Sequence, residues 1–151
     1  MDPTANRPQD RVTQDAIAIW QAGVEAVKAD RVVEQQIHWD GRWLSIAEDV
    51  WDLKNTDQLI VVGAGKATAG MLSGLYCALV RSQKNHPVIS GWVNVPQGSE
   101  KPHGPLENAV TVCEARPQGC NEPTSTVVDG TRQILSHLRG AGRNDCALAL
   151  I

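Results

Sequence analysis

Leu59-Ile60-Val61-Val62-Gly63-Ala64-Gly65-Lys66-Ala67 is an apolar run that breaks into two glycines and a lysine, then leads into an alanine-rich stretch. The pattern predicts a strand, a tight loop and a helix. Such a loop turns backbone N–H groups toward the N-terminal end of the helix, where unpaired donors and the positive end of the dipole attract anions. Lys66 adds a full positive charge, so a phosphate or carboxylate can be held by backbone and side chain together. A cation in that place is locally unfavourable by about 0.3–1 kcal/mol, which asks for a compensating anion. The plainer alternative is that the glycines only permit the turn and Lys66 points into solvent.

Outward from this segment the chain alternates helix and strand. Residues 1–11 are polar with two prolines and read as a flexible lead. Thr13 can cap a helix in which Ile17, Trp20, Val24 and Val27 recur at helical spacing, which predicts one packed face. Asp30–Gln36 suits a second, short helix. Ile37–Leu44 carries aromatic and aliphatic residues on both sides of Asp40-Gly41, a strong hairpin signal, and leads through Val50–Leu53 into the strand Gln58–Val62.

Beyond the glycine loop, Lys66–Gln83 reads as a helix with Met71, Leu72, Leu75, Leu79 and Val80 on its buried side. Gly91–Val95 is a second strand stopped by Pro96, and Ala109–Cys113 a third. Glu114–Pro123 is an irregular loop. Thr124–Arg139 reads as a helix buried through Val127, Val128, Ile134, Leu135 and Leu138, with Gly130 as a blemish and Gly140 as a stop. Cys146–Ile151 is almost wholly apolar, as expected of a strand buried on both faces of a parallel sheet. The alternation predicts an α/β fold, a Rossmann-like parallel sheet flanked by helices, over residues 12–151. Ligands of such sheets gather at the carboxyl ends of the strands, where the glycine loop, the Glu114–Pro123 loop and Ile151 are expected.

The bulk numbers exclude several classes. A chain of 151 residues suffices for one ordinary domain, which buries about two-thirds of its unfolded surface. Hydrophobic content of 42% and charged content of 21% fit a globular, soluble domain rather than disorder. Net charge is −3, pI is near 5.7 and the basic residues are scattered, so nucleic acid is not an expected partner. No apolar run approaches the ~20 residues of a membrane span, and the N-terminus lacks the pattern of a secretory signal. A cytoplasmic location is expected. Cys77, Cys113, Cys120 and Cys146 form no C-x-x-C, which predicts buried free thiols and no metal site. The five tryptophans, beside one tyrosine and no phenylalanine, are expected to supply bulky packing.

Neither common nucleotide motif is present. A dinucleotide fingerprint needs a third glycine where Thr68 stands, and a Walker loop needs a glycine at Ile60 and a hydroxyl residue at Ala67. His38, His86, His103 and His137 form no spaced pair and read as surface residues. Glu114, at a strand end, could orient a hydroxylated substrate or cap the neighbouring loop. Asn121 or Thr124 is expected to cap the following helix.

The Leu59–Ala67 segment, followed by a Met-containing amphipathic helix, resembles the V-V-G-x-G-K-A segment of the glycerate 2-kinases that carry a C-terminal MOFRL domain, a family formerly often described as hydroxypyruvate reductases. The order of elements is similar too, and Glu114-Ala115-Arg116-Pro117 with Asn121-Glu122 stands near that family's E-A-G-H-P-x-P-D-type loop. The histidine and second proline of that loop are absent here.

The resemblance implies an ATP-dependent kinase acting on glycerate to give 2-phosphoglycerate, with magnesium accompanying the nucleotide. It implies Lys66 as the catalytic residue and Gly63, Ala64, Gly65, Glu114 and Asn121 as substrate or phosphate contacts. The family's S-G-G-G-S phosphate loop would begin just after Ile151, which implies a fragment, inactive alone, whose partner is the remaining C-terminal part or the MOFRL domain. A sugar-phosphate-binding domain of the sugar-isomerase type and an NAD(P)H-dependent hydroxypyruvate reductase are the competing readings. Ala67, where the first has serine, and Thr68, where the second has glycine, count against them.

Overall fold

The computed structural model describes residues 8–103, 106 and 108–151. Helix α1 spans Pro8–Ala26 and α2 spans Ala29–Gln36. Strands β1 (Ile37–Trp39), β2 (Trp43–Ile46) and β3 (Asp49–Asp52) follow. Then come β4 (Gln58–Ala64), α3 (Thr68–Arg81), β5 (Val88–Pro96), β6 (Thr111–Arg116), α4 (Ser125–Arg139) and β7 (Cys146–Leu150).

The expected hairpin is a three-stranded antiparallel ribbon, β1-β2-β3, because the 50–53 region pairs with β2 instead of passing straight into β4. Its first turn is closed by Asp40, whose Oδ1 accepts the backbone N–H groups of Arg42 at 2.8 Å and Trp43 at 2.7 Å. Trp39 is buried and donates its indole N–H to the Asn85 carbonyl at 3.1 Å, tying the ribbon to the main body.

The main sheet is four parallel strands in the order β6-β5-β4-β7. The α/β architecture with a helix-flanked parallel sheet is therefore as expected. From β4 the chain crosses through α3 to β5 in one direction, and from β6 it returns through α4 to β7 beyond β4. Right-handed crossovers running in opposite directions place their helices on opposite faces of the sheet. The strand alternation agrees: Leu59, Val61, Val93, Val95 and Leu150 join the core with Leu72, Leu75 and Leu79 of α3, while Asn94 points the other way, against Gly130 of α4. Helix α2 lies on the outside of α3 at close range, because Gly70 and Gly74 leave room for its backbone.

Several expectations are corrected. Of the flexible lead, residues 8–11 are the first turn of α1, and residues 1–7 lie outside the described residues. The stripe Ile17, Trp20, Val24 and Val27 is exposed, Trp20 by 68%, so it does not form the expected packed face. Helical periodicity reveals an apolar stripe, not what covers it. Strand β7 is covered on the α3 side only, with Ala147 and Ala149 exposed on the other. On α4, Val128, Leu135 and Leu138 are likewise exposed, and on α3 so is Val80. Trp20, Trp43 and Trp51 are exposed rather than packed, and all four cysteines are free but only half-buried. The third strand starts at Thr111, later than Ala109. Among the described residues no helix is long and apolar enough to cross a membrane.

Candidate functional site

The glycine loop stands at the carboxyl edge of the parallel sheet, between the end of β4 and the start of α3. Gly63 is buried where three segments converge. A Cβ there would meet the Leu150 carbonyl, Thr68 Cγ2 at 2.8 Å and Leu150 Cβ at 3.1 Å. Only glycine lets β4 pass this close to β7 and the first turn of α3. Gly65 has φ +146°, a conformation that side chains other than glycine's rarely adopt. Its N–H donates to the Asn94 carbonyl at 3.1 Å, so the loop is pinned to the end of β5.

The helix begins at Thr68, two residues later than the expected Lys66, with no side-chain cap on its first turn. Lys66 therefore sits on the bend leading into the helix. It is exposed and forms no ion pair with any described residue. Thr68 is fully buried and its Oγ1 has no hydrogen-bond partner among the described residues, with Gly65 packed beside it.

Lys66 lines a cleft of about 270 Å³ whose other walls are the start of α2, the first two turns of α3, and the segment that follows β5. Lys28 enters from the α2 wall, and Ser99, Glu100, Lys101 and His103 from the β5–β6 connection. Lys28, Lys101 and His103 were not expected in this site. Nothing in their local sequence marks them, since Lys28 lies about forty positions before Lys66 and the β5–β6 connection reads only as a polar loop. They arrive through packing. The small contact at Gly70 and Gly74 brings Lys28 in with α2, and the Ser73 hydroxyl accepts the His103 N–H at 3.2 Å, holding the polar loop against α3.

The charges in the cleft are unevenly placed. A Glu25 carboxylate oxygen lies 2.7 Å from Lys28 Nζ. That hydrogen bond and the Glu25 charge hold the Lys28 ammonium above its ordinary pKa, with Asp30 and Glu100 adding to the effect. Of the acidic residues in the cleft, Asp30 lies on the α2 wall and Glu100 on the β5–β6 connection beside Lys101. Lys66 and Lys101 have no carboxylate partner among the described residues.

The other expected residues are less gathered. Glu114 lies inside β6, paired with Val95, rather than in a loop at its end. It lines a neighbouring cleft of about 470 Å³ that meets the first through Ser99, Glu100 and Lys101. Ala64 and Gly65 line a third cleft, on the α4 side and of about 250 Å³, with Asn94, Arg116 and Thr131, rather than the cleft that Lys66 lines. Asn121 is exposed, makes no hydrogen bond among the described residues and does not cap α4. Thr124 caps it instead, accepting the Val127 N–H at 3.3 Å while donating to the Ala115 carbonyl at 2.9 Å.

A family model described as Domain of unknown function (DUF4147) matches residues 15–151. The chain belongs to the DUF4147 family. This domain is found at the N-terminus of glycerate 2-kinase and MOFRL-family proteins. No functionally curated protein matches this DUF4147 chain. The crystal structure of the PH0495 protein from Pyrococcus horikoshii OT3 is similar to it, with a TM-score of 0.68 and 18% identity. The match covers 93% of the present chain but only 28% of that one, so the DUF4147 chain spans less than a third of this relative. At that identity the likeness is one of fold.

Proposed function

We propose that the DUF4147 chain carries one wall of the phosphoryl-transfer site of a glycerate 2-kinase, with Lys66 as its anion-stabilising residue. The supporting observation is the placement of Lys66: exposed, unpaired among the described residues, on a glycine bend at the carboxyl edge of a parallel sheet and at the start of a helix. In the reaction a hydroxyl oxygen of glycerate bonds to the γ-phosphorus of ATP, the bond to the bridging oxygen breaks, ADP leaves, and the hydroxyl proton is released. Lys66 holds negative charge on the transferred group or on the substrate carboxylate, while the N–H groups of the first turn of α3 orient the anion. Gly63 lets β4 pass close to β7, and Gly65 supplies the bend that presents Lys66. The remaining walls, including contacts to the nucleotide, belong to chain beyond this domain.

Among the described residues no three His, Cys, Asp or Glu side chains cluster to hold a metal ion. No step of the reaction is therefore assigned to the metal through these residues.

Calorimetry on the purified chain tests the reading with glycerate, ATP, a sugar phosphate and NADH as separate titrants. Binding of glycerate or ATP that is lost in Lys66→Ala supports it. Tight binding of NADH alone rejects it in favour of a reductase. Residues 1–151 alone are expected to show no ATP-dependent phosphorylation of glycerate. Turnover by them that disappears in Lys66→Ala would overturn the view that this domain is only part of the site.

A further inference from the structure

Ser73 is 2% exposed on α3, and its hydroxyl is used twice. It donates to the Ala69 carbonyl at 3.1 Å, a common arrangement for a helical serine. It also accepts the backbone N–H of His103 at 3.2 Å, thirty residues along the chain. Among the described residues this is the one hydrogen bond between the 99–103 segment and α3. Pro102, beside it, is buried. The segment is therefore fastened at 102–103, and Lys101 is carried into the cleft that Lys66 lines.

Asp30 and Glu100 also line that cleft, but neither forms an ion pair with Lys66 or Lys101 among the described residues, and Lys28 is paired with Glu25. Two cations, Lys66 and Lys101, are left without partners on different walls of one small cavity. A ligand with a single anionic group can engage one of them closely. A small molecule with an anionic group at each end can engage both.

We propose that this cleft binds a small molecule bearing two anionic groups, of the class of phosphorylated hydroxy acids, and that Ser73 is a positioning residue that holds Lys101 in place for the second group. The proposal rests on the reading of Lys66 as an anion-binding residue and adds Lys101 as the determinant that separates a ligand with two anionic groups from one with a single group. With a phosphorylated acid as the ligand, the cleft retains the product of the proposed reaction more tightly than its substrate.

Calorimetry at low ionic strength with glycerate, inorganic phosphate and 2-phosphoglycerate tests this on the wild-type chain, Lys101→Ala, Ser73→Ala and the double variant. 2-Phosphoglycerate is expected to bind about tenfold more tightly than either single-anion probe, the strength of one added charge-assisted hydrogen bond. Lys101→Ala should remove that advantage and leave phosphate affinity within about twofold. Ser73→Ala should reproduce the loss, and the double variant should lose no more than Lys101→Ala alone, because both act on one contact. Equal affinities for all three probes, or an advantage that survives Lys101→Ala, would overturn the proposal; Lys101 is exposed, so this variant folds whatever Ser73→Ala does. Additive losses in the double variant would remove Ser73 from the positioning role. If Lys66→Ala leaves every affinity unchanged, the underlying reading of Lys66 fails instead.

Discussion

The backbone of Gly130 in α4 lies directly against the side-chain amide of Asn94 in β5: a Cβ at residue 130 would overlap Asn94 Oδ1 and stand 2.7 Å from its Cγ and Nδ2. Asn94 has little freedom to yield. It is 6% exposed, and its Oδ1 accepts the Trp92 indole N–H at 3.0 Å. This contact sets how closely α4 approaches the sheet on the side of the glycine loop.

Gly130→Ala is therefore expected to destabilise the protein although it improves helix propensity. Overpacking of about 1–3 kcal/mol exceeds a propensity gain of about 1 kcal/mol. Urea denaturation should show a lower midpoint. Gly23→Ala in α1, where a Cβ meets nothing within 4 Å, is the control and should raise helicity by circular dichroism.

Gly74→Ala should be more damaging. Its Cβ would meet the Asp30 carbonyl, Val33 Cβ at 2.9 Å and Glu34 N at 3.0 Å, and two of those three atoms are backbone that cannot rotate away. A loss of about 2–3 kcal/mol is expected. Hydrogen exchange should show α2 amides losing protection before those of β4 and β5, because α2 is the element pushed off.

Thr124→Ala removes a cap and a tether together, since the hydroxyl serves both the Val127 N–H and the Ala115 carbonyl. A cost of about 1–2 kcal/mol is expected, most of it restored by serine. Thermal melts of the three proteins measure it.

Tyr76 yields a pH prediction. The ring is fully buried, and burial pushes the phenol up to about 12 from an ordinary value of 10.0. The folded protein thus keeps a proton that the unfolded chain releases first. The stabilising effect is complete below pH 10 and is lost as pH rises toward 12. Tyr76→Phe should flatten the fall in stability over that interval. Near neutrality it should cost little, because the Val110 backbone beside the hydroxyl does not reach full hydrogen-bond geometry, so at most a weak contact is lost.

Elements were readable wherever residue type alone sets backbone preference. Asp40-Gly41 announced the ribbon, Thr124 the start of α4, and the apolar-then-glycine pattern at 59–65 the strand and its turn. Boundaries slipped where neighbours decide them. Lys66 was expected inside a helix that in fact begins at Thr68, and the strand expected at Ala109 begins at Thr111, where pairing with Trp92 starts. Gly130 read as a flaw in a helix because its partner, Asn94, is thirty-six positions away.

By itself the sequence determined the alternating α/β pattern and the position of Lys66 on a glycine bend, because strand, helix and turn preferences act over a few neighbouring residues. Only the tertiary structure decided what faces that lysine. Lys28 and Lys101 reach the cleft through the Gly70 and Gly74 contact and the Ser73 hydrogen bond, and Glu114 is placed in the adjoining one. Such contacts join residues distant in the chain, and they depend on which backbones can approach closely and which buried polar groups find partners, neither of which a local window of sequence contains.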